Sequence, residues 1–327
     1  MELGPAVCVD RVVKSFSTVR AVDGLSFEVR HGEIFGFLGP NGAGKTTTLR
    51  MIMGITRPDE GRVTFGGQPR HDPRKVGYLP EERGLFEEAS VLDVLEYLGM
   101  LRGLSRRDAR AAAFHWLERL ALADQARHKV HTLSKGNQQK VQLAGAVLHQ
   151  PTLAVLDEPF SGLDPLNQEL FLDLIREFRT RGVAVLISAH QLQLVERVCD
   201  RFLLIAKGRE VLGGTLESMR REATGGRTDV LKLDLRPRRR DVPPGAVCRL
   251  LLEESGCEPR LETAEDMLTA FVSWPEGRDL GPLLASLSND WALERVEMRP
   301  MSLHEIYVLR VGGKGVLGDA AQASAVS

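Results

Sequence analysis

The chain has 327 residues, enough to bury a large core and to form more than one domain. Hydrophobic residues make up 43% and charged residues 27%, the makeup of a soluble globular protein, and a formal net charge of -1 excludes the basic footprint of a general nucleic-acid binder. Cys8, Cys199, Cys248 and Cys257 lack paired spacing, so reduced thiols are expected rather than a disulfide framework or zinc site; the N-terminus lacks the apolar core of a signal peptide, and no apolar run reaches the roughly 18 residues of a membrane span.

From residue 1 to about 224, short apolar runs alternate with amphipathic segments. Strands are predicted over 7–10, 25–29, 34–38, 63–65, 153–157, 183–188 and 202–205, with a further strand ending near Tyr78. Several are apolar throughout, as buried parallel strands are. Helices are predicted over 45–53, 137–149, 165–180 and 191–199, and this alternation predicts an α/β domain with a sheet covered on both faces. Between about 86 and 133 the texture changes. SVLDVLEYLGMLRGL and SRRDARAAAFHWLERLAL read as two amphipathic helices with Ser90 and Ser105 as N-caps, a helical insertion. REATGGRTD marks a boundary near 224–228. Beyond it, strands over 231–235, 270–274 and 291–298 and helices over 280–287 and 302–309 predict a small C-terminal α+β domain over 225–311. The basic run RPRRR, residues 236–240, reads as a solvated linker, with a lipid-headgroup contact as the sharper alternative. Residues 312–327 are rich in Gly, Ala and Ser and are expected to be disordered.

Chemistry concentrates in the first domain. IFGFLGPNGAGKTT sets an apolar strand before a GxxxxGK[ST] loop and a helix after it. Such a loop, here Gly39, Pro40, Asn41, Gly42, Ala43, Gly44, Lys45, Thr46 and Thr47, wraps phosphate oxygens with backbone N–H groups, and the helix aims its positive end at the same anion. Lys45 is expected to reach the β- and γ-phosphates of ATP, and Thr46 to ligate Mg²⁺. In LAVLDEP, four apolar residues deliver Asp157 to a strand end, where an acid can hold Mg²⁺; Glu158 is expected to face the attacking water. Within TLSKGNQQK, Ser134, Gly136 and the N–H groups that follow start a helix and form a second anion cup.

The series of motifs resembles the nucleotide-binding subunit of an ABC transporter over roughly residues 5–220. TLSKGNQQK resembles the family's signature, Ser161-Gly162-Leu163-Asp164 its D-loop, and His190 in ISAHQ its switch histidine; Phe16 stands where the family stacks an aromatic on adenine. The resemblance implies a P-loop NTPase of the ABC ATPase type with Glu158, His190 and Lys45 as catalytic residues. It implies a head-to-tail homodimer on ATP binding, in which Ser134, Gly136, Asn137 and Asp164 of one subunit complete the ATP site of the other. It also implies a separate transmembrane permease, docked on the helical insertion and the segment after Tyr78, and a place at the cytoplasmic face of the membrane. EMRPMSLHEIYVLRVG resembles the close of an accessory domain that follows some bacterial exporter ATPases, which points to export. Two positions depart from the family pattern. Glu81 stands where glutamine is usual and adds negative charge beside the phosphates; LSKGN replaces LSGGQ, so Lys135 either adds positive charge near the γ-phosphate or points to solvent. The competing classes are a soluble ABC-type ATPase acting on ribosomes or DNA, which would carry a second cassette or a long coiled-coil insertion, and a regulatory module that holds ATP without hydrolysis.

Overall fold

Alternating apolar residues start the chain as a hairpin, in which β1 (Val7–Phe16) pairs antiparallel with β2 (Val19–Val29). β1 outruns the predicted 7–10 because a bulge with Arg11 at φ 45° interrupts the alternation without ending the strand; the Arg11 N–H donates to Ser26 Oγ at 2.8 Å. The computed structural model describes residues 4–82, 84–225, 229–239, 242–264, 266–275 and 277–311. It divides into two compact units, Met1–Gly214 and Thr215–Ser327. The division thus falls before the 224–228 segment. The helix that ends in that segment belongs to the second unit, where it packs on the last described helix. The predicted disordered tail lies outside the described residues.

In the first unit the chain continues through β3 (Ile34–Leu38), α1 (Lys45–Ile52), β4 (Glu60–Thr64) and β5 (Val76–Leu79). Two helices follow, α2 (Val91–Leu101) and α3 (Arg106–Arg119), then α4 (Lys135–Val147), β6 (Leu153–Asp157), α5 (Pro165–Thr180), β7 (Ala184–Ala189), α6 (Leu192–Glu196), β8 (Arg201–Ala206) and β9 (Arg209–Gly214). The central sheet runs β5-β6-β7-β3-β8-β9, parallel except for β9, and β3, β6 and β7 are buried along their whole length. A second sheet, β2-β1-β4, joins it through Phe27, which stacks on Phe35 and Phe37 at 5.5 and 5.3 Å. The helix predicted over 191–199 shortens to α6, because its last turn tightens into i→i+3 bonds, Val198 N–H to Val195 O among them.

Ser90 and Ser105 do cap α2 and α3, accepting the N–H groups of Asp93 and Asp108. The two helices are tied by Glu96, whose carboxylate accepts from Arg106 at 2.6 Å and Arg110 at 3.0 Å and is held below the usual carboxylate range by those bonds.

The second unit opens on α7 (Leu216–Thr224) and continues with β10 (Asp229–Pro237), α8 (Pro244–Ser255), β11 (Arg260–Ala264), β12 (Met267–Trp274), α9 (Gly281–Ser288), β13 (Trp291–Pro300) and α10 (Leu303–Val311). From β10 to β13 this is a βαββαβ unit whose antiparallel sheet runs β11-β12-β10-β13. Leu231, Leu233 and Leu235 of β10 face Val247 and Leu251 of α8 and Leu283 and Leu287 of α9 in one core. The basic run 236–240 is not simply a linker. Arg236 and Pro237 close β10, and Arg236 Nε lies 3.4 Å from Glu294, because the strand continues pairing with β13 to Trp291; Arg240 lies outside the described residues.

α4 presses directly on the sheet where β5 carries Gly77. A Cβ there would lie 2.2 Å from the Ala146 carbonyl oxygen, which leaves room only for glycine. Gly77→Ala is therefore expected to lower stability by about 1–3 kcal/mol, the usual cost of overpacking, read as a lower urea midpoint with an unchanged m-value.

Candidate functional site

The loop between β3 and α1 is shaped by crowding from behind. Gly44 sits at φ 103°, and a Cβ there would lie 2.4 Å from the Ala21 carbonyl oxygen, so the turn into α1 admits only glycine. α1 has no side-chain cap and no acid in its first turn, so its leading N–H groups are left for an anion. Lys45 is nearly buried; its Nζ donates to Gly39 O at 2.8 Å and to Pro40 O at 3.3 Å, which fixes the ammonium against the loop with a third N–H to give.

The parallel order brings the C-terminal ends of β3, β5, β6 and β7 to one side, where open α/β sheets place their ligands. A cleft of about 440 Å³ opens there. It is lined by Pro40, Asn41, Gly42, Gly44, Lys45, Thr46 and Thr47 of the loop, by Glu81 after β5, by Asp157 and Glu158 after β6, and by Ala21. Gly39 and Ala43 do not line it; Gly39 supplies the carbonyl that holds Lys45, and Ala43 is buried beneath the loop.

Strand register assembles the acids. Asp157 pairs with Ser188 across β6 and β7, and the Ser188 hydroxyl donates to Asp157 Oδ1. The next residue, Glu158, is held at φ 52°, a left-handed conformation that costs a non-glycine residue about 1–3 kcal/mol. Its N–H donates to both Ser188 O and Ser188 Oγ at 3.1 Å, which supports the strained turn. The turn aims the carboxylate at His190, where Oε2 accepts the His190 N–H at 3.2 Å and lies 2.7 Å from Nδ1. Glu158 and His190, far apart in sequence, are thus in direct contact.

Asp157 is 1% exposed, and its Oδ2 is buried without a well-formed hydrogen bond. Burial pushes its pKa up, the Ser188 bond opposes this, and the charges of Glu81 and Glu158 push it up further; the nearby Thr46 hydroxyl draws it down. Burial, with Asp157 nearby, also pushes the Tyr78 hydroxyl up to about 12. No cluster of three or more His, Cys, Asp or Glu suited to a protein-only metal cage occurs among the described residues. A buried carboxylate oxygen beside a hydroxyl would instead fit Mg²⁺, an ion that draws its other ligands from water and substrate phosphates.

Ser134, Gly136, Asn137 and Asp164 are not brought into this cleft. Ser134 caps α4 by accepting the Asn137 N–H at 3.3 Å, Asn137 Nδ2 donates to Gln125 at 3.2 Å, and Asp164 caps α5. Lys135, the second departure in the motif, is exposed. Phe16 stands half-exposed at the end of β1, with Lys14 Nζ 5.5 Å from its ring centre. Three contributors escaped sequence reading: Ala21, Ser188 and Gln139. Gln139 is buried, and its Nε2 donates to Pro159 O at 3.1 Å, joining α4 to the acid-bearing turn. For Ser188 a signal was present, a small hydroxyl closing an otherwise apolar strand two residues before His190.

The profile of the family described as ABC transporter matches residues 22–161. The ABC transporter ATP-binding protein YhaQ of Bacillus subtilis is 38% identical over 306 residues, covering 93% of this chain and 98% of YhaQ. The chain belongs to the ABC transporter ATP-binding proteins. Nod factor export ATP-binding protein I of Burkholderia lata is 35% identical over 308 residues, covering 93% of this chain and 95% of its own. A solved structure of an ATP-binding subunit of an ABC transporter superposes with a TM-score of 0.63 at 32% identity, over 66% of this chain and 92% of that one. The two sequence relatives extend through both units of the chain.

The raised pKa of Asp157 has a thermodynamic sign. A carboxyl whose pKa is higher folded than unfolded costs stability where it is ionised, and the cost fades as pH falls through the folded value toward the ordinary 3.8. Asp157→Asn, which keeps an acceptor for Ser188, is expected to raise the melting temperature of the nucleotide-free protein near pH 7 by roughly 2–4 °C per kcal/mol relieved. In scanning fluorimetry the gain should shrink toward about pH 4, the window given by the ordinary value of the group.

Proposed function

We propose that this subunit hydrolyses ATP and that the energy drives a separate membrane permease in export. The observation that carries the hydrolytic reading is the Glu158–His190 contact beside the phosphate loop: a carboxylate 2.7 Å from an imidazole, fixed by a strained turn at the mouth of a cleft that holds Lys45. A module that only stored ATP would not need that strain.

In this reading the phosphate chain lies against the N–H groups of Gly42, Gly44 and Lys45, with the Lys45 ammonium on the β- and γ-oxygens. Glu158 orients the attacking water and draws its proton, while His190 steadies Glu158 and contacts the γ-phosphate. Charge that builds on the departing phosphate is met by fixed donors that need no rearrangement. Thr46 and Asp157 would hold Mg²⁺, which neutralises phosphate charge when bound. Glu81 lines the same cleft and places a third carboxylate there, so affinity depends more on the metal than with a neutral amide at that position. Phe16, exposed at the edge of β1, is assigned the base.

Ser134, Gly136 and Asn137 lie outside their own chain's cleft, and this supports their use on a second copy, with two subunits head to tail and Asp164 at the contact. Catalysis is assigned to the first unit and an accessory role to the second. No described helix is long and apolar enough to cross a membrane, so membrane work falls to a partner. The export reading rests on the named function of the Burkholderia relative, and transport is favoured over a ribosomal or DNA role because the relatives are transporter ATP-binding proteins. The permease is assigned to the exposed apolar face of Phe86, Tyr97, Met100 and Leu101, where Phe86 and Tyr97 pack edge to face at 5.5 Å.

Glu158→Gln is expected to lower ATP turnover by roughly 10²–10⁴-fold, the worth of a general base, with nucleotide still bound in equilibrium dialysis; parent-like turnover would refute the assignment. The composite site has its own test. Lys45→Ala and Ser134→Arg subunits should each be inactive alone, yet an equimolar mixture should regain a measurable fraction of activity, because one of the two sites then joins an intact loop to an intact signature. Absence of any recovery in dimers shown to be mixed would exclude the shared site.

A further inference from the structure

α4 runs so close to β5 that the Ala146 carbonyl oxygen takes the space a Cβ on Gly77 would need. One turn back along the same face of α4 stands Gln142. The close approach brings it within reach of the chain beyond β5, and its Nε2 donates to the Glu82 carbonyl at 3.1 Å. Gln142 is 6% exposed and lies two residues past the signature motif, so neither the motif nor solvent accounts for an amide at this position. Beyond the ladder of β5, this is the one hydrogen bond to the backbone of Pro80, Glu81 and Glu82 among the described residues. A contact from Arg50 Nη2 to the Glu82 carboxylate at 3.6 Å joins two exposed side chains and adds little.

The residue this tether serves is Glu81. It lines the cleft beside Lys45, Thr46 and Asp157, and its charge reaches both the Asp157 carboxyl and the Tyr78 hydroxyl, raising the pKa of each. Glu81 is exposed, and its carboxylate makes no hydrogen bond or ion pair among the described residues. Its place at the cleft is therefore set by the backbone that carries it, and that backbone is held by Gln142.

Resting on the reading of the cleft as a nucleotide site, we propose that Gln142 is a positioning residue: its amide fixes the segment after β5 so that the Glu81 carboxylate stands at the cleft, and through Glu81 it sets how strongly nucleotide binding depends on Mg²⁺. A carboxylate held there repels bare phosphates and favours a phosphate chain that arrives with a divalent cation. Released from the Gln142 amide, the segment can carry Glu81 out into water, where screening weakens both effects. The same side chain carries a burden for the fold, since Gln142 Oε1 is buried without a partner. An apolar side chain of equal length gives up the bond and relieves that orphan together, while the Glu82 carbonyl, on an exposed residue, can turn to water. Its effect on the cleft is thus separable from its effect on stability.

The test is equilibrium dialysis of the full chain against adenylyl imidodiphosphate, an ATP analogue that resists hydrolysis, in excess MgCl₂ and in EDTA. Gln142→Met should keep its thermal transition within roughly 2 °C of the wild type. It should shrink the ratio of the EDTA to the Mg²⁺ dissociation constant about fivefold, chiefly through tighter binding in EDTA, as one unit charge moves a few ångströms away in a partly solvated site. In a Glu81→Gln background, where no charge remains to be placed, the same change should leave the ratio where it is. If the wild type binds nucleotide but Gln142→Met leaves the ratio unchanged, or shifts it equally without Glu81, the assignment is overturned and the nucleotide site stands. A wild type that binds nucleotide in neither buffer overturns the nucleotide reading and this assignment with it. If Gln142→Met does not fold, Gln142→Asn carries the test. It keeps the amide but falls one methylene short of Glu82, so the same shift of about fivefold is expected; a parent-like ratio counts against the tether.

Discussion

The proposed nucleotide site depends on one pairing, that of Asp157 with Ser188 between β6 and β7. The strands are parallel and fully buried, so a slip of one residue would turn every side chain to the wrong layer. Held in register, Ser188 touches the acid before the turn and the backbone of the acid after it. The strained conformation of Glu158 is affordable only because the N–H of that turn has two acceptors on Ser188. His190 then arrives on the continuation of the same strand. Three proposed site residues, Asp157, Glu158 and His190, are placed by one ladder of backbone hydrogen bonds.

Electrostatics gives this arrangement its direction. Glu81, Asp157 and Glu158 surround the cleft with only Lys45 inside it. Asp157 responds by holding its proton more tightly than an exposed aspartate would. In the proposed function, cationic charge arriving with a nucleotide would relieve this crowding of carboxylates, as in other sites where perturbed groups serve a ligand.

Much of this was legible in the sequence. The apolar runs at 34–38 and 153–156 predicted strands that are buried along their whole length; the phosphate loop and Asp157 and Glu158 were proposed from their local pattern, and His190 from the family resemblance. Local chemistry sufficed there, because glycine, capping and apolar runs act over a few residues. What escaped was decided at a distance. Ser188 and Gln139 matter through partners about thirty and twenty positions away. β9 was missed because its pairing with β8 turns on Lys207 and Gly208, both at positive φ, a signal only two residues long. β11 and α8 were missed because their polar residues dilute the apolar pattern, and the core that defines them comes from other strands.

α4 has both ends committed. Its first residues display the signature loop, its middle carries Gln139 to the carbonyl of Pro159, and near its far end the Ala146 carbonyl rests against the Cα of Gly77. In the proposed dimer, a partner seated against the start of α4 would therefore sit one hydrogen bond, Gln139 to the Pro159 carbonyl, from the turn that carries Glu158.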